Sequence, residues 1–290
     1  MPKIAIVGPG AIGGTVAAWL AQRSDHSIIV CARTPFDQLK VETPQGVILA
    51  RPKILYSPEQ ASVVDWVLIA TKAYAVPETV SWLPRLIGSQ TCIAVLQNGV
   101  EHVDRFAANV PNSILLPVVI DMPAERLEPG HIWQRRNGKL IVPANDSGWA
   151  FSQLFSTPCV TVVPVLDFQS QAWRKLAINC AGAVSALVLQ PARIARRQPI
   201  AAIMRELVRE CIDVGRAEGA NLGDDLNEEI IESYKLGPPD AVNSMHADRI
   251  AGRPIEIDAR NGAVVRFGIR HGIPTPMNQT FVSLLKVAVE

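Results

Sequence analysis

Residues 4–7 (Ile-Ala-Ile-Val) form an apolar run of strand length that stops at Gly8-Pro9-Gly10-Ala11-Ile12-Gly13. Beyond the glycines, Val16, Ala17, Trp19 and Leu20 follow at helical spacing, so the pattern predicts a strand, a Gly-rich turn and a helix. Residues 27–33 read as a second strand, and Val47 to Leu49 and Ile54 with Leu55 as short strands among turns. Residues 65–72 and 91–96 are nearly continuous in apolar side chains, as strands buried on both faces are. A helical stretch over residues 77–87 separates them. Residues 114–120 and 160–166 read as further strands, and residues 149–155 as a helix. Residues 131–143 read as a hairpin turning at Asn137-Gly138, so the sheet is expected to gain antiparallel strands at this edge.

From Asp167 onward the pattern is helical. Helices are predicted over residues 169–190 (stopped by Pro191), from Pro199 to about Gly219, over 225–235 before the breaker Gly237-Pro238-Pro239, over the short segment 244–250, and over a long segment 254–271. The expected fold class is an α/β N-terminal Rossmann-type domain, a parallel sheet with added antiparallel edge strands, followed by an all-α C-terminal domain. The boundaries are residues 1–167 for the α/β domain and 168–290 for the helical domain.

Composition narrows the class. The 290 residues are 48% hydrophobic and 19% charged with a net charge of +1, the profile of a globular protein with a sizeable core and no call for a nucleic-acid partner. The cysteines at 31, 92, 159, 180 and 211 are scattered, with no Cys/His cluster, so neither a disulfide framework nor a metal is expected. Only Lys3 precedes the first strand, which is not the pattern of a signal peptide, and no run reaches the ~18 apolar residues of a membrane span. A cytoplasmic location is the expectation.

Each glycine of the first turn has a physical task. Gly8 permits the turn, Gly10 lets the backbone approach a pyrophosphate, and Gly13 brings helix and strand together. The helix N-terminus offers free N–H groups to phosphate oxygens. The second strand ends in Arg33-Thr34 without an acidic residue, and an arginine there favours the 2′-phosphate of NADP over the bare ribose of NAD. A solvated arginine is the plainer alternative. Lys72 and Asn98 end the next two strands, where ligands of open α/β sheets bind, although Asn98-Gly99 is also ordinary turn chemistry. Lys175 and Asn179 share one face of a helix. A desolvated lysine gives up its proton more readily, which suits proton donation. Glu256 and Asp258 fall early in the last predicted helix, where the dipole favours acidic residues, and Ser244 stands where an N-cap would.

The glycine turn, Thr71-Lys72, Gln97-Asn98-Gly99, Trp173 through Asn179, Ser244 through Asp248, Gly252 through Asp258, Asn261-Gly262 and residues 271–276 stand in an order and spacing that resembles the ketopantoate (2-dehydropantoate) 2-reductase family over essentially the whole chain. The resemblance implies NADPH-dependent reduction of a 2-oxo acid, 2-dehydropantoate to pantoate in pantothenate biosynthesis. It implies that Lys175 protonates the ketone oxygen and that Glu256 accepts a hydrogen bond from a substrate hydroxyl. It further implies that Asn98 and Asn179 place substrate and cofactor, that Ser244 binds the substrate carboxylate, and that Arg33 and Lys72 hold the 2′-phosphate end. Two positions depart from the pattern: Ala183 stands where a second asparagine is usual, and Ala241 stands at another polar position, with Asn243 nearby. A different 2-oxo acid on the same scaffold, a non-catalytic NADPH-binding regulator and an opine-type dehydrogenase are the competing readings. The partner expected is a small-molecule 2-oxo acid, with neither nucleic acid nor membrane, and a homodimer is compatible with a helical second half.

Overall fold

In the computed structural model, residues 1–110 and 114–289 are described, and the chain divides into two compact units: Met1–Gln97 with His102–Phe168, and Asn98–Glu101 with Gln169–Glu290. The first unit contains β1 (Lys3–Val7), α1 (Ala11–Leu20), β2 (Ser27–Cys31), β3 (Leu39–Thr43), β4 (Gly46–Ala50), β5 (Lys53–Leu55) and β6 (Trp66–Ile69). Two short helices, α2 (Val76–Val80) and α3 (Leu83–Leu86), lead to β7 (Cys92–Val95). Then come β8 (Ile114–Pro117), β9 (Val119–Asp121), β10 (Ala124–Glu128), β11 (His131–Gln134), β12 (Gly138–Pro143), α4 (Asp146–Ser152) and β13 (Val160–Val165).

Six strands lie side by side in the order β5-β2-β1-β6-β7-β8, every pair parallel. This is the strand order of a doubly wound dinucleotide-binding sheet, and its direction of growth reverses between β1 and β6. Ile4 and Ile6 of β1, with Trp66 and Leu68 of β6, enter the core on one face. Ala5, Val7, Val67 and Ile69 enter the core on the other. Two-sided burial is the reason these strands are apolar at every position. The helix α1 is covered on its far side by a second sheet: a Cβ on Gly14 would stand 2.2 Å from Ile132 Cδ1 of β11.

The antiparallel strands do not extend the parallel sheet, as the sequence pattern suggested. They belong to two separate sheets, β10-β11-β3-β4 and β13-β12-β9. The hairpin expected over 131–143 does not form, because β11 and β12 lie in different sheets. Instead β11 pairs antiparallel with β10 and parallel with β3, while β12 pairs with β13 and β9. A two-residue hairpin turn needs positive φ, and it is Gly130 that has it, at φ 79°. Glu128 of β10 stands opposite His131 of β11, so Pro129-Gly130 makes the reversal, and a Cβ on Gly130 would meet Gln38 O at 2.5 Å. Gly138 is a packing glycine, its missing Cβ making room for Met122. The single strand expected over 114–120 is split at Val118, with β8 in the parallel sheet and β9 in the small one. The helix expected over 77–87 is broken at Ser81-Trp82, and β3 has no counterpart in the sequence reading.

The second unit is helical: α5 (Phe168–Ala181), α6 (Ala183–Val188), α7 (Gln198–Ala217), α8 (Leu226–Leu236), α9 (Ser244–Ile250), α10 (Ala263–His271) and α11 (Pro276–Val287). Trp173, Leu176, Leu207, Val208, Phe267 and Phe281 contribute to one core, and Val100 of the Asn98–Glu101 segment packs against it. The helix expected over 169–190 breaks at Gly182, whose backbone is closely approached: an added Cβ would stand 3.0 Å from both Asn243 Nδ2 and Tyr234 Oη. It ends with Leu189 in the left-handed region at φ 52°. The helix expected from Pro254 begins at Ala263, after a π-helical turn over Asp258–Gly262 in which Gly262 N–H donates to Ile257 O at 3.0 Å. Glu256 therefore precedes the helix rather than opening it.

The last helix, α11, was not expected. Its N-terminal amides at Met277 and Asn278 donate to the Glu210 carboxylate on α7, each at 2.8 Å. Asn278 Nδ2 also donates to Glu210 and to Leu207 O, and Asn261 Nδ2 donates to Asn278 Oδ1 at 2.9 Å. The cap thus comes from a helix far away in the chain, and the same network ties down the π-helical turn. Among the described residues no helix is long and apolar enough to cross a membrane.

Candidate active site

The glycine turn joins β1 to α1 at the point where strand order reverses. Gly8 has φ 91°, and a Cβ on it would stand 2.6 Å from Thr71 Cγ2 and 2.8 Å from Thr71 N, so the loops after β1 and β6 touch here. A Cβ on Gly13 would stand 2.2 Å from Gly8 O and 2.9 Å from Ala70 Cβ. Gly10 is different, since an added Cβ would meet no protein atom within 4 Å. Two of the glycines are thus required by the fold, and the third leaves space in front of the backbone at the N-terminus of α1. Pro9, Ala11 and Ile12 complete the turn, with Gly10 as the N-cap of α1 and no side chain capping it. A helix N-terminus left without a side-chain cap offers its first amides to an anion.

Behind this loop the ends of β6 and β7 are tied by polar side chains. Thr71 Oγ1 lies 2.7 Å from Thr79 Oγ1, and Gln97 Nε2 donates to Thr71 Oγ1 at 3.1 Å. Gln97 also receives Arg105 Nη1 at 3.3 Å, and its carbonyl lies 2.9 Å from His102 Nε2. Burial, then the neighbouring Arg105, holds His102 down to about 4, so its ring is neutral near pH 7 and Nε2 is the donor to the carbonyl. Arg33 is exposed two residues beyond β2, and Lys72 is half-buried beyond β6. Both stand at the carboxyl ends of strands that flank β1.

In the helical unit, side chains from distant parts of the chain converge. Asn98 Nδ2 donates to Glu256 Oε2 at 2.9 Å, and Asn179 Nδ2 approaches Asn98 Oδ1 at 3.5 Å, the limit of a hydrogen bond. Lys175, half-buried, is one turn before Asn179 on the same face of α5. Glu256 is 4% exposed, and 3.8 Å from its Oε2 lies the guanidinium Nη2 of Arg260, itself 2% exposed. The same Nη2 donates to Ser244 Oγ at 2.8 Å. Ser244 is exposed and does not cap α9; Asn243 does, its Oδ1 accepting from His246 N at 3.0 Å while its Nδ2 donates to Gly182 O at 2.9 Å. The ring of Tyr234 lies against this backbone, donating from Oη to Ile178 O at 2.8 Å, and burial pushes its phenol up to about 12.

Asn98, Asn179 and Glu256, expected to bind substrate, thus belong to one hydrogen-bonded group, and Ser244, expected with them, is linked to it through Arg260, 3.8 Å from Glu256. Asn98 was also expected at the cofactor, and its hydrogen bonds here are with Asn179 and Glu256. Asn243 does not replace the polar group missing at Ala241, because its amide is spent on the cap and on Gly182. Ala183 is fully buried in the helical core. Arg260 was not anticipated. Its signal was the i,i+4 spacing from Glu256, which the expected long helix would also have produced on an ordinary solvated face.

Residues 4–147 match the family described as ketopantoate reductase PanE/ApbA, and residues 167–289 match its C-terminal domain. A 2-dehydropantoate 2-reductase of Caulobacter vibrioides is 54% identical over 288 residues, covering 99% of each chain. A 2-dehydropantoate 2-reductase of Mycobacterium tuberculosis is 37% identical over 287 residues, covering 98% of this chain and 97% of that one. Among solved structures, a PanE/ApbA family ketopantoate reductase from Ralstonia eutropha superposes with a TM-score of 0.91 at 29% identity, covering 99% of this chain and 98% of that one.

Proposed function

Because the chain belongs to the ketopantoate reductase family, we propose that it reduces 2-dehydropantoate to pantoate, with NADPH as the dinucleotide. When bound, the reduced nicotinamide supplies hydride to the ketone carbon. The chain itself supplies position, charge and the proton. The turn Gly8 to Gly13 and the first amides of α1 cradle the pyrophosphate, and the open space at Gly10 is what the fit requires. Arg33 and Lys72 take the 2′-phosphate. The strand end at Arg33-Thr34 carries no carboxylate to repel it.

Lys175 donates the proton to the ketone oxygen, and its charge stabilises the oxygen as negative charge develops there. Ser244 donates to the substrate carboxylate, Glu256 accepts from the substrate hydroxyl, and Asn98 and Asn179 orient the substrate between them. The observation that carries this reading is the meeting of Asn98, Asn179, Ser244 and Glu256, from four separate stretches of chain, in one partly buried polar group one helical turn from Lys175.

A second reading, a related 2-oxo acid with a less polar tail, draws on Ala183 and Ala241, which offer no side-chain hydrogen bond. Sites built to bond a polar group discriminate strongly against analogues that lack it, and a site without the bonding group discriminates far less. NADPH oxidation by the purified protein with 2-dehydropantoate and a panel of other 2-oxo acids tests both. Fastest turnover on 2-dehydropantoate supports the proposal, preference for another acid moves it to the second reading, and NADPH binding without turnover on any acid would leave a regulator.

A further inference from the structure

Arg260 is a buried cation whose donors are only partly used. Taking a guanidinium out of water costs several kcal/mol, so a structural arginine closes its fork on a carboxylate. Even the exposed Arg266 in the same unit does so, with Nε to Glu101 Oε1 at 2.9 Å and Nη2 to Glu101 Oε2 at 2.7 Å. Arg260 does not. Its Nη2 bonds Ser244 Oγ at 2.8 Å and stays 3.8 Å from Glu256 Oε2, and its Nε is buried with no hydrogen-bond partner. The π-helical turn that carries it is anchored through its neighbour Asn261, whose Nδ2 donates to Asn278 Oδ1 at 2.9 Å.

The consequence falls on Ser244. A serine hydroxyl has one proton to donate and lone pairs to accept with. Once Oγ accepts from Arg260, the remaining O–H is left to donate outward, from an exposed residue backed by a buried positive charge. That is the arrangement an organic carboxylate needs. Glu256, the nearby anion, would otherwise disfavour it.

We propose that Arg260 is the specificity-determining residue that selects an anionic substrate, by orienting the Ser244 hydroxyl as a donor and by supplying the charge that offsets Glu256. The inference rests on the reductase reading above, and gives the positive charge to a residue the sequence resemblance did not assign.

The test is inhibition of the enzyme by pantoate and by its uncharged lactone, measured against 2-dehydropantoate for the wild type, Arg260→Met, Arg260→Lys, Ser244→Ala and the Arg260→Met/Ser244→Ala double variant. A charge-assisted hydrogen bond is worth about 1.5–3 kcal/mol, so Arg260→Met is expected to raise the pantoate inhibition constant about 10- to 100-fold. The lactone constant should stay within about threefold, Arg260→Lys should recover part of the loss, and the two single substitutions should be less than additive. Thermal unfolding and NADPH affinity report whether the variants fold. Equal losses for acid and lactone would reduce Arg260 to a structural residue, and unchanged constants for both would remove it from recognition. A wild type that neither reduces 2-dehydropantoate nor binds pantoate would overturn the reductase reading itself, before any variant is compared.

Discussion

Asn98 Nδ2 and Glu256 Oε2 are 2.9 Å apart although 158 positions separate them in the chain. The bond fixes one carboxylate oxygen of a residue that is almost fully buried. Replacing Glu256 by Gln keeps the shape, removes the charge and leaves Arg260 without its nearest anion. The KM for 2-dehydropantoate is expected to rise about tenfold or more, the scale of one hydrogen bond to a charged group, while NADPH affinity holds. Steady-state kinetics would count against the assignment if KM stayed at the wild-type value.

Lys175→Ala should lower kcat by about 10²-fold or more, the contribution typical of a positioned general acid. The Kd for NADPH, read by fluorescence titration, should change little. A variant with wild-type kcat would exclude Lys175 as the proton donor.

Gly10 and Gly13 separate binding from folding. The Cβ of Gly13→Ala would collide with Gly8 O and Ala70 Cβ, and overpacking of this kind costs about 1–3 kcal/mol, visible as a lower Tm. The Cβ of Gly10→Ala meets nothing in the protein. Its Tm should stay near that of the wild type while NADPH affinity falls, because the methyl group occupies the space through which the backbone approaches the pyrophosphate. Equal affinity for NADPH in Gly10→Ala and wild type would show that the phosphates lie elsewhere.

Arg33→Asp tests the cofactor preference. Losing a charge-assisted bond and gaining a repulsive carboxylate should reduce the NADPH/NADH ratio of kcat/KM by about 10- to 100-fold. An unmoved ratio would take Arg33 out of the 2′-phosphate site.

His102 makes a prediction about acid stability. Its folded value, about 4, lies below the 6.5 of a free histidine because the ring is buried and close to Arg105. Above about pH 6.5 the ring is neutral in both folded and unfolded chains, and its hydrogen bond to Gln97 is fully present. Between about 6.5 and about 4 the unfolded chain takes up a proton that the folded chain cannot, so stability falls with pH; below about 4 this group adds no further loss. His26 and His246, also lowered by burial, act in the same direction. Chemical denaturation from pH 7.5 to 4.5 should give a shallower slope for His102→Gln than for the wild type, and identical slopes would exclude the linkage.

The pattern along the chain was enough for the parallel sheet, the glycine turn and most of the helices, since burial of β1, β6 and β7 on both faces leaves a local apolar signature and first-turn prolines such as Pro199 are local too. Lys175 and Asn179 were also legible, because helical spacing alone puts them on one face. What the tertiary structure decided was every feature set by a partner distant in sequence. Asn137-Gly138 looked like a turn, but Met122 needs the space at Gly138 and Gly130 makes the reversal. The last helix, α11, begins where it does because Glu210, on another helix, caps it. Ser244 looked like an N-cap, but Asn243 takes that position and frees its hydroxyl for Arg260. Arg260 falls within the long helix expected over 254–271, with nothing local to set it apart. A guanidinium is solvated or buried according to what packs over it, and those packing residues come from other parts of the chain, so its burial is a property of the fold and not of its neighbours in sequence.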